Sequence, residues 1–94
     1  MKNKLYTFKD HLKESLKDPA FRKAWEESEA EYLVSKALIE KRLVSRMSQR
    51  VLAKKAKTTQ AVISRIEGMA ANPSINLLKK IAAVFGSRLI ISFT

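Results

Sequence analysis

Residues 47–67 read MSQRVLAKKAKTTQAVISRIE, and the order of polar and apolar side chains in them decides the fold. Wound at about 100° per residue, Thr58 to Glu67 split into two sides. Val62, Ile63 and Ile66 share one, while Gln60, Ala61, Ser64 and Arg65 share the other. Thr59 stands where a helix takes its N-cap, its hydroxyl placed to accept a backbone N–H. Ser48 stands in the same relation to a preceding short helix through Ala56, and a tight turn at Lys57 and Thr58 joins the two. A bland surface helix mixes Lys and Glu on its wet side. This second helix offers an amide, a methyl, a hydroxyl and a guanidinium instead, a set suited to reading hydrogen bonds.

Toward the C-terminus, GMAANPS is loop-like, with Gly68, Asn72 and Pro73. Ser74 caps a last helix with Ile75, Leu78, Ile81, Ala82 and Phe85 inward, and Gly86 ends it. Arg88 to Phe93, RLIISF, is then β-branched and apolar, with Leu89, Ile91 and Phe93 on one face at period two. That pattern predicts a single strand in an otherwise helical chain. No second strand pattern exists to pair with it, so it either frays or pairs with another chain. Its apolar character favours pairing, through Leu89, Ile90, Ile91 and Phe93.

Toward the N-terminus, Leu5, Phe8, Leu12 and Leu16 form the stripe of an amphipathic helix. Asp18 and Pro19 stop it and open the next, as N-cap and first helical residue. That helix is predicted to reach Val44 and carries Phe21, Trp25, Tyr32, Leu38 and Ile39. Its acids from Glu26 to Glu31 lie nearer the front, which suits the helix dipole. No repeat or low-complexity segment is present.

Charge separates the chain into two parts. The formal net charge is +10 over 94 residues. Residues 1–40 carry eight basic and eight acidic side chains; residues 41–94 carry eleven basic ones and a single acid, Glu67. The whole excess therefore lies in the C-terminal part, which points to a polyanionic partner there. Aromatics segregate the other way, with Tyr6, Phe8, Phe21, Trp25 and Tyr32 early and only Phe85 and Phe93 late. A chain of this length is expected to form one small domain with an appended arm and a modest core. It has no Cys, which excludes disulfides and thiolate metal sites. No apolar run approaches the roughly 20 residues of a membrane span. The opening MKNKLYTFKDHLKE lacks the apolar stretch of a signal peptide, so a cytoplasmic location is expected.

The stretch MSQRVLAKKAKTTQAVISRIEGMAANPSINLLKKIAAVFG closely resembles the phage-repressor-like (XRE/Cro) helix-turn-helix family. The matching residues include Met47, Ser48, Gln49, Leu52, Ala53, Ala56, Thr59, Gln60, Ile63, Ser64, Arg65, Ile66, Glu67, Pro73, Leu78, Ile81, Ala82 and Gly86. The resemblance implies that the second helix enters the major groove by its N-terminal end. It implies that Gln49 touches phosphate and braces Gln60, that Gln60 and Arg65 read bases, and that Ala61 and Ser64 lie close to them. The chemistry fits, because Gln suits adenine, Arg suits guanine and a methyl suits thymine. Arg50 is a DNA-contact candidate, and Ser48 and Thr59 are caps that also come within reach of DNA. Lys54, Lys55, Lys79 and Lys80 either solubilise the domain or add phosphate contacts, and the near absence of acids beside them favours the latter. Lys57 departs from the family, which often has Gly in this turn; either it sits at positive φ, at a cost of about 1 kcal/mol or more, or the turn differs.

Farther out, FKDHLKESLKDPAFRKAWEE joined to this domain and ended by FGSRLIISF resembles the HigA-type antitoxins of bacterial toxin–antitoxin modules. Leu16, Asp18, Pro19, Phe21 and an aromatic at Trp25 carry the likeness; Ala20 and Trp25 depart where such proteins often have Glu and Tyr. The resemblance implies a protein that binds and blocks a RelE/HigB-like mRNA-cleaving toxin and represses its own operon at palindromic half-sites as a homodimer. The expected fold is all-α: five helices, comprising a phage-repressor-like helix-turn-helix domain over residues 41–94 with a C-terminal β-strand, and an N-terminal helical arm over residues 1–40 that binds toxin.

Phe8, Leu12, Leu16, Phe21 and Trp25 either pack two helices together or form that partner surface, and large aromatics at an interface can do both. The acids Glu26 to Glu31 are a solvated face or a complement to a basic RNA-binding toxin. His11, the single histidine, is expected at the surface. The alternative function is a free-standing transcriptional regulator whose N-terminal helices serve as a dimer arm. No carboxylate dyad, Cys/His pair or Gly-rich phosphate loop suggests an enzyme. No cofactor, metal, membrane or small-molecule substrate is expected.

Overall fold

The computed structural model describes residues 8–94. Five helices follow one another: α1 (Phe8–Ser15), α2 (Pro19–Val44), α3 (Gln49–Lys55), α4 (Gln60–Glu67) and α5 (Ile75–Val84). The chain divides between Ala30 and Glu31 into two compact units, and α2 contributes residues to both.

The starts of α2 to α5 are written in the sequence. The Asp18 carboxylate accepts from Ala20 N at 3.1 Å, and Pro19 occupies the first helical position, where a missing N–H costs nothing. Ser48 Oγ accepts from Val51 N at 3.1 Å, Thr59 Oγ1 from Val62 N at 3.2 Å and Ser74 Oγ from Leu77 N at 3.0 Å. Each cap satisfies one orphan donor and contributes about 1 kcal/mol.

Four of the helix ends share one device. After α2, α3, α4 and α5 a single residue turns left-handed: Arg46 at φ 55°, Lys57 at 59°, Met69 at 61° and Gly86 at 67°. The next N–H then reaches back five residues, from Met47 to Arg42 O, Thr58 to Ala53 O, Ala70 to Arg65 O and Ser87 to Ala82 O, at 2.8–3.0 Å. With the companion bonds to Leu43, Lys54, Ile66 and Ala83, these are four Schellman caps. Only Gly86 has the residue type that fits this backbone freely. Lys57 therefore takes the strained option its sequence left open. Gly68, the glycine of the preceding loop, sits one residue ahead of the left-handed position, at φ −89°.

In the unit Glu31–Thr94, α3 packs on both α4 and α5. Leu38 of α2, Leu52 and Ala53 of α3, Ala56 at the C-cap of α3, Ile63 and Ile66 of α4, and Ile81 of α5 form the buried core. Leu52 and Ile63 are fully enclosed. Val34, Met47, Val62, Leu77 and Phe85 pack around them. Ile75 does not join this core: it is 58% exposed, because it opens α5 and its side chain lies at the helix end, beyond the packed turns. Leu77 takes an inward place instead.

In the unit up to Ala30, no residue from Asp10 onward is buried. Leu12, Leu16 and Trp25 are half-buried, and Phe21 is exposed. Leu5 and the Phe8 side chain lie outside the described residues, so the full stripe expected on the first helix is not traced.

No strand forms among the described residues, and residues 87–94 are irregular. The β-strand expected from Arg88 to Phe93 is thus not shown in the single chain. The physical reason is the one its sequence carried: a strand is defined by a paired ladder, and no other segment among the described residues supplies one.

Candidate nucleic-acid interface

Helix α4 is held by its apolar side and offers its polar side to solvent. Ile63 and Ile66 are buried and Val62 is half-buried, while Gln60, Ala61, Ser64 and Arg65 are all exposed. On α3, Leu52 and Ala53 point into the core, leaving Arg50, Lys54 and Lys55 exposed. Ser48 and Thr59 are exposed caps whose oxygens already accept from the backbone. Each keeps a hydroxyl hydrogen for an outside acceptor.

One contact joins the polar starts of the two helices. Gln60 Nε2 donates to Gln49 Oε1 at 3.4 Å, a long bond. Gln49 is half-buried, and its own Nε2 donates to Glu67 Oε1 at 2.9 Å. Glu67 also receives Arg42: Nε to Oε2 at 2.7 Å and Nη2 to Oε1 at 3.1 Å. The third arm of that guanidinium, Nη1, donates to Met47 O at 3.0 Å. The bond to Glu67 holds the Arg42 pKa above its ordinary value, against the lowering effect of burial. Ser35 completes the site by donating its hydroxyl to the Glu67 carbonyl at 2.6 Å. The last four carbonyls of α4 are thereby all partnered, by Gly68 N, Ala70 N, Met69 N and the Ser35 hydroxyl.

Ser35, Arg42 and Glu67 are the residues that reasoning from sequence did not place in this site. One signal was present: Glu67 is the lone acid among eleven bases in residues 41–94. An acid so isolated in a basic segment is a candidate for a fixed internal pairing.

A family model described as helix-turn-helix matches residues 38–90, more than half of the chain. The chain belongs to the helix-turn-helix family. The two helices of the name are α3 and α4, joined by the strained turn at Lys57. Helix-turn-helix domains of this XRE type are DNA-binding regulatory domains, which accounts for the concentration of charge in the same residues. No curated protein and no solved structure matches the chain. Among the described residues, no helix is long and apolar enough to cross a membrane.

Proposed function

We propose that this helix-turn-helix protein reads an operator through α4 and that its N-terminal half neutralises a toxin. The observation that carries the first part is the exposed set Gln60, Ala61, Ser64 and Arg65 on a helix whose opposite side is locked in the core. Those side chains supply amide, methyl, hydroxyl and guanidinium groups to base edges in the major groove. Ser48, Gln49, Arg50, Lys54 and Thr59 supply phosphate contacts that set register. Two copies, joined through residues 88–93, place two such helices on the half-sites of a palindrome.

The second part rests on the likeness of the N-terminal segment to HigA-type antitoxins. It is supported by the absence of any buried side chain from Asp10 to Ala30. Leu12, Leu16, Phe21 and Trp25 form an apolar set that this unit leaves partly open to solvent, as a surface for a protein partner requires. The partner in this reading is a RelE/HigB-like mRNA-cleaving toxin. Free-standing regulation, without a toxin, is the competing outcome.

The test is co-expression with the product of the adjacent gene. The full chain should co-purify with it and restore growth. The fragment Glu31–Thr94 should bind operator but not restore growth. A fragment begun at Lys41 would remove Ser35 and Leu38, both buried, and is not a fair test. Full rescue by Glu31–Thr94 would refute the assignment of the toxin surface to the N-terminal half. A neighbouring product with no toxicity and no affinity for the chain would favour free-standing regulation.

A further inference from the structure

Glu67 is not part of the exposed reading face, since its side chain is only 8% exposed. Its position in the hydrogen-bond chain nonetheless gives that face a direction. A carboxylate can only accept hydrogen bonds. Gln49 must therefore turn its Nε2 toward Glu67, at 2.9 Å, and its Oε1 the other way. That oxygen in turn selects the nitrogen of Gln60, at 3.4 Å. The Gln60 amide is left with its Nε2 on the Gln49 side, one N–H still to give, and its Oε1 on the far side.

We infer that Glu67 is a positioning residue for base recognition: through Gln49 it fixes which way round Gln60 presents its amide to the major groove. This rests on the reading of α4 as the groove element. A freely turning amide can give N–H to the two acceptors of guanine or accept from the N4–H of cytosine. One held in a fixed order matches the neighbouring acceptor and donor of adenine, N7 and N6–H. Arg42 takes part by binding the same carboxylate on its other side and holding it in place. The direction of the relay thus originates in the interior, three side chains from the base.

The experiment uses the full chain and a randomised duplex library, from which the preferred half-site is selected and then varied one base pair at a time. Gln60→Ala identifies the base pair that Gln60 reads. Glu67→Gln keeps the size of the side chain but lets it pair with Gln49 either way round. Gln49→Met cuts the relay while leaving the Arg42–Glu67 pair intact, so it stands in if Glu67→Gln fails to fold. Each is expected to lower the preference at the Gln60 base pair about tenfold, equivalent to roughly 1.4 kcal/mol, and to leave the preference at the Arg65 base pair unchanged. The double variant should lose no more than either single one. A lost phosphate contact weakens all sequences alike, so the ratio between base pairs reports positioning alone. Preference retained at the Gln60 base pair in Gln49→Met would overturn the inference while leaving base reading by Gln60 intact. If Gln60→Ala itself changes no preference, base reading by Gln60 fails and the positioning role fails with it.

Discussion

The Arg42 guanidinium donates to both carboxylate oxygens of Glu67, at 2.7 and 3.1 Å, with the two side chains only 16% and 8% exposed. The pair ties the last turns of α2 to the last turn of α4. A bidentate, shielded pair of this kind is far stronger than a surface ion pair. Its loss on one side is costly because the remaining charge stays where water cannot solvate it fully.

Arg42→Met should therefore destabilise the fold by about 3 kcal/mol. It leaves the Glu67 carboxylate without its cation, with only the Gln49 amide donating to it, and frees the Met47 carbonyl as well. Replacing both partners, as Arg42→Met with Glu67→Leu, should cost less than Arg42→Met alone, because no unpaired charge is left behind. Urea denaturation, read at constant slope, measures both. A single variant with less than about 1 kcal/mol of loss would reduce the pair to the rank of a surface ion pair.

Much of this arrangement was legible in the sequence. Ser48, Thr59 and Ser74 announced their helices because an N-cap needs a side-chain acceptor at one position. The two sides of α4 followed from the spacing of Val62, Ile63 and Ile66. The helix ends were harder, since three of the four left-handed positions carry Arg46, Lys57 and Met69 in place of glycine. There the backbone hydrogen bonds of the cap are made in spite of residue preference. Gly68 itself stands one residue before the left-handed position, at φ −89°. Glu67 could be noticed as a lone acid, but its partners Ser35 and Arg42 are 32 and 25 residues away in sequence. Local pattern carries no information on pairs so distant. The tail pattern predicted a strand, and residues 87–94 are irregular in the single chain.

The left-handed turns make a prediction of opposite signs. At Lys57, φ 59°, glycine should relieve the strain and stabilise the fold by about 0.5–1 kcal/mol. Gly86→Ala, at φ 67° with no neighbour near its missing Cβ, should lose about 1 kcal/mol from backbone strain alone. Thermal or urea unfolding of the two variants tests this. Destabilisation by Lys57→Gly would mean that the lysine side chain makes up for its backbone.

On DNA, the exposed faces of α3 and α4 should behave differently. Gln60→Ala or Arg65→Ala should cost about 1–3 kcal/mol on the preferred site and relax discrimination at one base pair in each half-site. Lys54→Ala should weaken specific and scrambled duplexes alike and reduce the salt slope by about one. Gel-shift titration at two salt concentrations separates the classes. Equal losses on both duplexes for Gln60→Ala and Arg65→Ala would remove those residues from the reading role.

The tail supplies the last prediction. Ile90, Ile91 and Phe93 are 72%, 55% and 99% exposed, a concentration of apolar surface that water disfavours. Beside them Leu33, Val34, Leu78 and Phe85 line an open groove of about 390 Å³ that Leu89 and Ile90 also border. Reading two half-sites about 34 Å apart requires a two-fold axis, and a segment crossing such an axis meets its own copy antiparallel. Pairing residues 88–93 in this way would satisfy their backbone groups and give them the strand that one chain lacks. Two strands alone are marginal, so contacts with the helices along the groove must support the ribbon. Ile90→Pro removes a backbone donor from its centre and should yield a monomer by size-exclusion light scattering, with DNA affinity falling toward that of one half-site. A variant that stays dimeric and binds operator normally would reassign the tail to another chain, and the first candidate to test is the sheet edge of the proposed toxin.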